Sequence, residues 1–146
     1  MELSKTRKNT TDLLRDLKQS EKFSDFVKKD GKSLKHGEFT ETLNRYFRSQ
    51  GRSKAEIARA AGISEAYLYQ ICSGTRVPSR NRLLCICLGM RLEEEKAQTL
   101  LKQCGYATLY ARDKRDAVIL HGLMHGMELN RVNDTLFEVG EAPLLE

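Results

Sequence analysis

The segment that most constrains the fold runs from Ser53 to Ser79 and reads SKAEIARAAGISEAYLYQICSGTRVPS. Ser53, followed three residues later by Glu56, predicts a capping box at the start of a helix. Gly62 is expected to end that helix, because glycine adopts the left-handed conformation without a Cβ penalty. Ser64 then caps a second helix. Two short helices joined by a glycine-containing turn form a helix-turn-helix, whose second helix enters the DNA major groove.

The second helix, from Ser64 to Ser73, has the composition of a recognition helix. Leu68 and Ile71 lie three residues apart and predict its buried face. The side chains expected to read bases or the groove edge are then Glu65, Ala66, Tyr67, Tyr69 and Gln70. Gln can pair with adenine through two hydrogen bonds, Glu can accept one from cytosine, and Ala can touch a thymine methyl. An ordinary helical hairpin with a polar outer face is the alternative interpretation.

Residues 42–92 resemble the five-helix DNA-binding domain of Cro/phage-repressor-like (Xre family) transcription regulators. The resemblance rests on S-x-x-E-I-A, A-G-I-S, I-x-x-G-x-R-x-P-S and a fourth helix that ends in L-G-M. More broadly, residues 10–142 resemble small regulators of Gram-positive bacteria, which share Y-x-Y-Q-I, G-x-R-x-P-S-R and L-Y-x-R-x-x-R-D-A. The implied fold is all-α, with a lambda-repressor-like five-helix domain, a short N-terminal helical arm and a C-terminal helical hairpin.

The resemblance also implies which residues hold DNA phosphates: Arg52, Lys54, Ser64, Thr75, Arg76, Ser79 and Arg80. Lys54 stands where many phage repressors carry a phosphate-binding glutamine, so this contact would come from a point charge rather than an amide. Arg80 and Arg82 begin the next helix, beside the positive end of its dipole. That placement costs intrinsic stability and is explained if a phosphate occupies the site.

The formal charge of +5 is unevenly distributed along the 146 residues. Residues 1–37 carry +4, residues 38–92 carry +5 and residues 93–146 carry −4, counting Lys and Arg against Asp and Glu. A basic front fits a protein that faces a polyanion. Patchy surface charge is also common without such a partner, so the asymmetry supports DNA binding only together with the motif.

The chain lacks the features of membrane and secreted proteins. No run approaches the ~20 apolar residues of a membrane span, and the start MELSKTRKNTTDLL lacks the apolar core of a signal peptide. We therefore expect a cytoplasmic protein whose four cysteines are reduced thiols. Helical periods dominate and strand-like alternation is nearly missing, which predicts an all-α fold.

Three regions are predicted: an N-terminal helical arm (1–37), the helix-turn-helix domain (38–92) and a C-terminal extension (93–146). The arm would contain two short amphipathic helices, over 10–19 and 22–29. Thr10 or Thr11 would cap the first of them. Its apolar stripe comprises Leu13, Leu14 and Leu17. We expect the arm to pack on the DNA-binding domain or on a second subunit, in preference to touching phosphates.

The first helix of the central domain is predicted over 38–50, with Gly51 as its cap. In the extension, a helix over 114–125 is predicted to carry Ala117, Leu120 and Met124 on one apolar face, with Val118 and Ile119 beside it. A last helix over 129–139 would pair with it as a hairpin. The acidic balance of the extension argues for packing rather than DNA contact, and the tail from Pro143 is expected to dock onto a partner.

No catalytic, metal or cofactor site is predicted. Four cysteines raise the question of zinc: Cys72, Cys85, Cys87 and Cys104. They lack the paired spacing of structural zinc ligands and are favoured as buried small hydrophobes. His121 and His125 have a spacing that can bind metal, but no third ligand is near. Gly31-Lys32-Ser33 ends like a phosphate loop without its earlier glycine. Since no nucleophile–base constellation exists, we do not expect an enzyme.

These observations predict a sequence-specific transcription regulator that binds double-stranded DNA. One recognition helix covers only about four or five base pairs, so useful affinity implies a homodimer on half-sites ~34 Å apart. The C-terminal helices, and also the arm, would supply the dimer or partner surface. A protein-interaction adaptor or antitoxin-like module with the same fold is the second hypothesis. A ligand-sensing regulator is the third, although the extension is small for a large pocket.

Overall fold

The structure is a computed structural model that describes residues 8–31 and 36–145. Over these ranges it contains nine helices and no β-strand, which confirms the all-α prediction. The helices are α1 (Thr10–Gln19), α2 (Phe23–Asp30), α3 (Gly37–Arg48), α4 (Lys54–Ala61), α5 (Glu65–Cys72), α6 (Arg80–Gly89), α7 (Glu94–Gln103), α8 (Lys114–Met124) and α9 (Leu129–Glu138). The described residues do not include 1–7, which belong to the segment that was compared with a signal peptide. They also do not include Lys32 and Ser33, which were compared with the end of a phosphate-binding loop.

Helix α6 forms the centre of the fold. Its residues from Leu83 to Gly89 are all buried, and α4, α7, α8 and α9 pack against it. At Gly89 the approach is so close that a Cβ would lie 3.0 Å from the backbone nitrogen of Ala61. From Leu83 onward the helix is apolar on every side, as expected for a segment enclosed by its neighbours.

One apolar core connects the helix-turn-helix to the C-terminal extension. It runs without a break from Phe39 in α3 to Leu144 in the tail. Helices α7, α8 and α9 therefore share the core of α3–α6. The domain boundaries after residues 37 and 92 stay predictions.

Two predicted caps are wrong. Asn9, rather than Thr10 or Thr11, caps α1 by accepting a hydrogen bond from the Asp12 N–H (2.8 Å). Asparagine is among the strongest N-cap residues, and its amide reaches the orphan N–H groups of the first turn. Helix α3 ends at Arg48 with Ser49 as its C-cap, before Gly51 is reached.

The arm is a hairpin of α1 and α2, and Phe26 is the one apolar side chain that is buried among its described residues. This side chain lies apart from the main core. Lys8 joins the two helices, because its Nζ lies 2.5 Å from Asp16 Oδ2 and 2.8 Å from Asp30 Oδ1. The hydrogen bond from Lys8 holds the pKa of Asp16 below its ordinary value.

The apolar stripe predicted for α1 is largely uncovered. Leu14 is 61% exposed and Leu17 is 41% exposed. Phe23 at the start of α2 is exposed as well. The hairpin therefore turns part of its apolar surface away from the rest of the chain.

Helix α8 buries a face that overlaps the predicted one only in part. Ile119, Leu120 and Leu123 are buried, whereas Met124 is 64% exposed, so its predicted burial is wrong. The cause is Gly122, where α9 approaches so closely that a Cβ would lie 2.5 Å from Val132 Cγ2. The glycine, rather than the largest apolar side chain, marks the packing face.

The C-terminal tail docks on its own chain. Leu144 is buried in the core, and its N–H donates to Asn133 Oδ1 (2.8 Å). Arg115 donates to the carbonyls of Ala142 (2.8 Å) and Pro143 (3.1 Å). The prediction that this tail docks onto a partner is wrong, because its apolar and polar groups are used within the molecule.

None of the described helices combines the length and apolarity that crossing a bilayer requires.

Candidate nucleic-acid interface

The start of α4 is held by the predicted capping box. The Ser53 Oγ accepts from the Glu56 N–H (3.2 Å), and the Glu56 carboxylate accepts from the Ser53 N–H (3.1 Å). The Ser53 N–H holds the pKa of Glu56 below its usual range, so the carboxylate stays ionised and the box stays closed. This reciprocal pair satisfies two orphan N–H groups and fixes where α4 begins.

The turn between α4 and α5 depends on Gly62. Its φ of 69° is left-handed, and the N–H of Ile63 returns to the carbonyl of Ala58 (3.0 Å). The tail packs on the outside of this turn, so that a Cβ at Gly62 would lie 2.5 Å from Leu145 Cδ1. Glycine is thus favoured here both by the left-handed backbone and by the close approach of Leu145. The turn holds the two helices at a fixed angle.

Helix α5 buries and exposes the faces that were predicted. Leu68 and Ile71 are fully buried, and Ser64 caps the helix by accepting from the Tyr67 N–H (3.0 Å). Tyr67 is half-buried at the edge of the helix. The exposed residues are Glu65, Ala66, Tyr69 and Gln70. Their accessibility is what a recognition helix requires, while their contacts with bases stay a prediction.

Cations flank the exposed face of α5 on both sides. At the start of α4, Lys54 Nζ lies 5.1 Å from the centroid of the Tyr69 ring. On the other side, Arg76 Cζ lies 5.7 Å from the Tyr67 ring and Arg82 Cζ lies 6.0 Å from it. Cation–ring attraction at these distances holds the charged groups beside the helix.

The structure separates Arg80 from Arg82, which begin α6. Arg82 is exposed beside Tyr67. Arg80 instead donates through Nε to the Ala107 carbonyl (2.9 Å) and lies 3.4 Å from Asp116 Oδ2. Residues two apart on a helix point about 200° apart, so the two arginines face different neighbours. The sequence placed Arg82 at a helix start suited to a phosphate but did not name it among the phosphate-contacting residues.

Arg52, another predicted phosphate contact, is also engaged within the molecule. Its Nη2 donates to the Gly89 carbonyl at the end of α6. For Arg52 and Arg80, contact with DNA stays a prediction. A phosphate bound by either guanidinium group would have to share or replace its internal hydrogen bonds.

The predicted hydroxyl contacts lie at helix starts and in the loop after α5. Ser79 caps α6 by accepting from the Arg82 N–H (3.2 Å), and the Thr75 hydroxyl lies 2.8 Å from that of Ser73. A capping serine uses an oxygen lone pair and keeps its O–H as a donor. Ser64 and Ser79 can therefore cap their helices and still donate to a phosphate.

The loop between α5 and α6 is anchored from behind. The Tyr106 hydroxyl donates to the carbonyl of Pro78 (2.6 Å), which is itself buried. Burial raises the pKa of Tyr106, so the hydroxyl remains a donor at neutral pH. The connector after α7 thereby positions Thr75, Arg76 and Ser79.

The cysteines are buried thiols, as predicted: Cys72, Cys85, Cys87 and Cys104. Burial raises the pKa of Cys85 to about 11 and that of Cys104 to about 12. His121 and His125 are exposed neighbours, with ring centroids 4.3 Å apart. Within residues 8–31 and 36–145, no three His, Cys, Asp or Glu side chains are grouped as a metal site.

Two capped helices joined at a left-handed glycine, the second exposed along one face, define a protein of the helix-turn-helix class. Comparison with protein families agrees, because a family model described as a helix-turn-helix domain matches residues 12–100. The chain therefore belongs to this helix-turn-helix domain family. The match begins in α1 and ends in α7, so the arm is included. No curated protein and no solved structure matched the chain.

Proposed function

We propose that this protein is a sequence-specific, double-stranded DNA-binding transcription regulator of the Cro/phage-repressor-like (Xre) type found in Gram-positive bacteria. The observation that carries the proposal is the exposed face of α5, flanked by Lys54, Arg76 and Arg82. A polar helix face between cations has the form of a major-groove reader between two phosphate strands. Such a role belongs in the cytoplasm and involves no catalysis.

The proposed division of roles follows from side-chain chemistry. Gln70 and Glu65 read base edges, because an amide and a carboxylate match the donors and acceptors of the major groove. Arg76 and Lys54 hold phosphates and set the register of α5 without reading sequence. Arg82 joins the phosphate-binding group because it is exposed beside Arg76 on the Tyr67 ring.

We further propose that the protein acts as a homodimer. A single α5 spans only about four or five base pairs, too few for a unique operator. Two copies on a two-fold site would place their recognition helices ~34 Å apart, one turn of DNA. The exposed apolar residues of the arm and of α9, among them Leu14 and Phe137, are candidates for the contact between copies.

The proposal is tested by fluorescence-anisotropy titrations with random duplex DNA and with duplexes selected by the protein from a random pool. Gln70→Ala should weaken binding to the selected duplex by ~1–3 kcal/mol and relax its preference at one position. Arg76→Ala should weaken both duplexes alike and lower the salt slope by about one.

Matched controls are Gln19→Ala in α1 and Arg131→Ala in α9, both at exposed positions away from α5. Neither should change affinity or salt slope. Equal effects of Gln70→Ala and Arg76→Ala on both duplexes would contradict the division of roles. Wild-type protein without salt-sensitive binding to either duplex would refute the DNA function and favour the adaptor or antitoxin-like alternative.

A further inference from the structure

A groove lies beside the helix-turn-helix, between the arm and the central domain. It is bordered by α2, by α3, and by the end of α5 with its following loop. It has a volume of about 570 Å³ and opens to solvent. None of its charged residues belongs to the interface predicted from sequence.

The groove is strongly basic. Its cationic side chains are Lys28, Lys29, Arg45 and Arg48, all of them exposed. Among the described residues that border it, Glu41 supplies the single carboxylate. The groove therefore favours an anionic occupant.

The cations differ in how far they are already engaged. Lys29 Nζ lies 3.6 Å from Asp16 Oδ1, and Arg45 Cζ lies 5.8 Å from the Tyr46 ring. Within the described residues, Lys28 and Arg48 have neither an ion pair nor a ring contact. These two side chains are the ones most available to a ligand.

Helix dipoles explain only part of this arrangement. Lys28 and Lys29 lie in the last turn of α2, and Arg45 and Arg48 in the last turn of α3, where the negative helix end stabilises cations. The dipole of each helix does not explain why both basic ends border one groove. Like charges gathered there repel one another, and an anion between them would relieve the repulsion.

The groove is continuous with the proposed DNA interface. Ser73 and Gly74 border it and also end the recognition helix. Thr40 of α3 lies beside this end, because a Cβ added at Gly74 would be 3.7 Å from the Thr40 side chain. Thr75 and Arg76, the proposed phosphate contacts, follow directly in the chain. A DNA strand held by this loop thus runs next to the mouth of the groove.

We propose that the groove binds the phosphate backbone of the same DNA duplex, with Lys28 and Arg48 holding phosphates beyond those contacted by the loop after α5. The arm then serves as a backbone clamp, which reverses the sequence-based preference for packing alone. The contacts would extend the footprint without reading sequence. This inference rests on the proposed function, and its test separates the two.

The test measures salt dependence in Lys28→Gln/Arg48→Gln, which removes two charges and leaves a polar, unbranched side chain at each position. On selected and random duplexes alike, the slope of log K against log salt should fall by about two. The loss of affinity between 50 and 200 mM salt should then be about tenfold smaller than for the wild type. Lys18→Gln/Lys22→Gln removes the same charge from exposed positions of the arm outside the groove and should leave the slope unchanged.

The outcomes are distinct. If Arg76→Ala lowers the slope but the groove variant does not, the clamp is refuted and the DNA function stands. An equal fall in the Lys18/Lys22 variant would also overturn the clamp, because net charge alone would then explain the change. If the groove variant keeps its slope and loses self-association by light scattering, the groove is a protein contact. Absence of salt-sensitive DNA binding by the wild type refutes both proposals, and equal circular-dichroism melting curves exclude misfolding.

Discussion

At Gly122 a missing side chain decides how two helices pack. The contact with Val132 brings α8 and α9 together and turns Ile119 and Leu123 into the core. Val132 is buried, and a β-branched side chain in a helix has one strongly preferred rotamer, so it cannot swing away from an added methyl group. The position is therefore sensitive to even the smallest substitution.

Gly122→Ala should lower the free energy of unfolding by about 1–2 kcal/mol. Overpacking costs about 1–3 kcal/mol, and the better helix propensity of alanine returns up to about 1. Urea unfolding followed by far-UV circular dichroism measures the change. Gly51→Ala is the matched control, because nothing lies within 4 Å of its Cβ position and its φ is not left-handed.

The control should be neutral or slightly stabilising, by up to about 1 kcal/mol. Gly122→Ala introduced together with Val132→Ala should cost less than it does alone, because the contacting methyl group is gone. Stabilisation by Gly122→Ala comparable with that of Gly51→Ala would contradict the packing argument.

Side-chain exposure on α5 could be predicted because the local signals agree. Ser64, Leu68 and Ile71 fix the start and the buried face of a short helix, which leaves Tyr69 and Gln70 outside. The engagement of Arg80 could not be predicted, because its acceptors at Ala107 and Asp116 are brought to it only by tertiary folding.

At the scale of elements, the start of α6 joins the helix-turn-helix to the extension. Arg80 reaches Asp116 of α8, and Asp116 also accepts from the N–H of Tyr110 (3.0 Å). Gln98 of α7 exchanges two hydrogen bonds with the backbone of Leu109. These contacts fix the connector between α7 and α8 against α6.

Arg80→Ala and Arg82→Ala should therefore affect different properties, the first stability and the second DNA binding. Loss of Arg80 should lower the free energy of unfolding by about 1–3 kcal/mol, because charged hydrogen bonds to Asp116 and Ala107 disappear. Loss of Arg82 should leave stability within about 0.5 kcal/mol and lower the salt slope of DNA binding by about one. Thermal melting and anisotropy measure the two effects, and an unchanged stability of Arg80→Ala would show that its contacts are dispensable.

The existence of the helices was predictable, because apolar residues recur with a helical period in most segments and a capping box with a terminal glycine marks α4. Helix orientation was predicted less well in the extension. Leu120 and Met124 look like one stripe in sequence, yet packing at Gly122 rotates α8 so that Met124 faces solvent. A small residue that marks a close approach carries no hydrophobic signal.

At the scale of the whole molecule, the tail closes the core. Leu144 contributes apolar surface to the cluster that begins at Phe39, and Arg115 ties the adjoining carbonyls to α8. The described chain from α3 to the tail should therefore unfold as one cooperative unit.

Leu144→Ala should lower the free energy of unfolding by about 2–5 kcal/mol, the range for truncating a buried leucine. Met124→Ala truncates a large apolar side chain at an exposed site of α8 and should change stability by less than about 0.5 kcal/mol. Urea unfolding followed by far-UV and tyrosine near-UV circular dichroism should give coincident transitions. Separate transitions, or equal losses for the two variants, would show that the tail is not part of the core.

The contact of Leu145 with Gly62 also bears on protein synthesis. The ribosome releases the helix-turn-helix segment well before Leu145, so a nascent chain can form α4 and α5 while their shared turn lacks its outer support. A translation product that stops before the tail would keep the recognition sequence and lose part of what holds it in place. The turn at Gly62 would thus gain its outer apolar contact only in chains whose translation has passed Leu145.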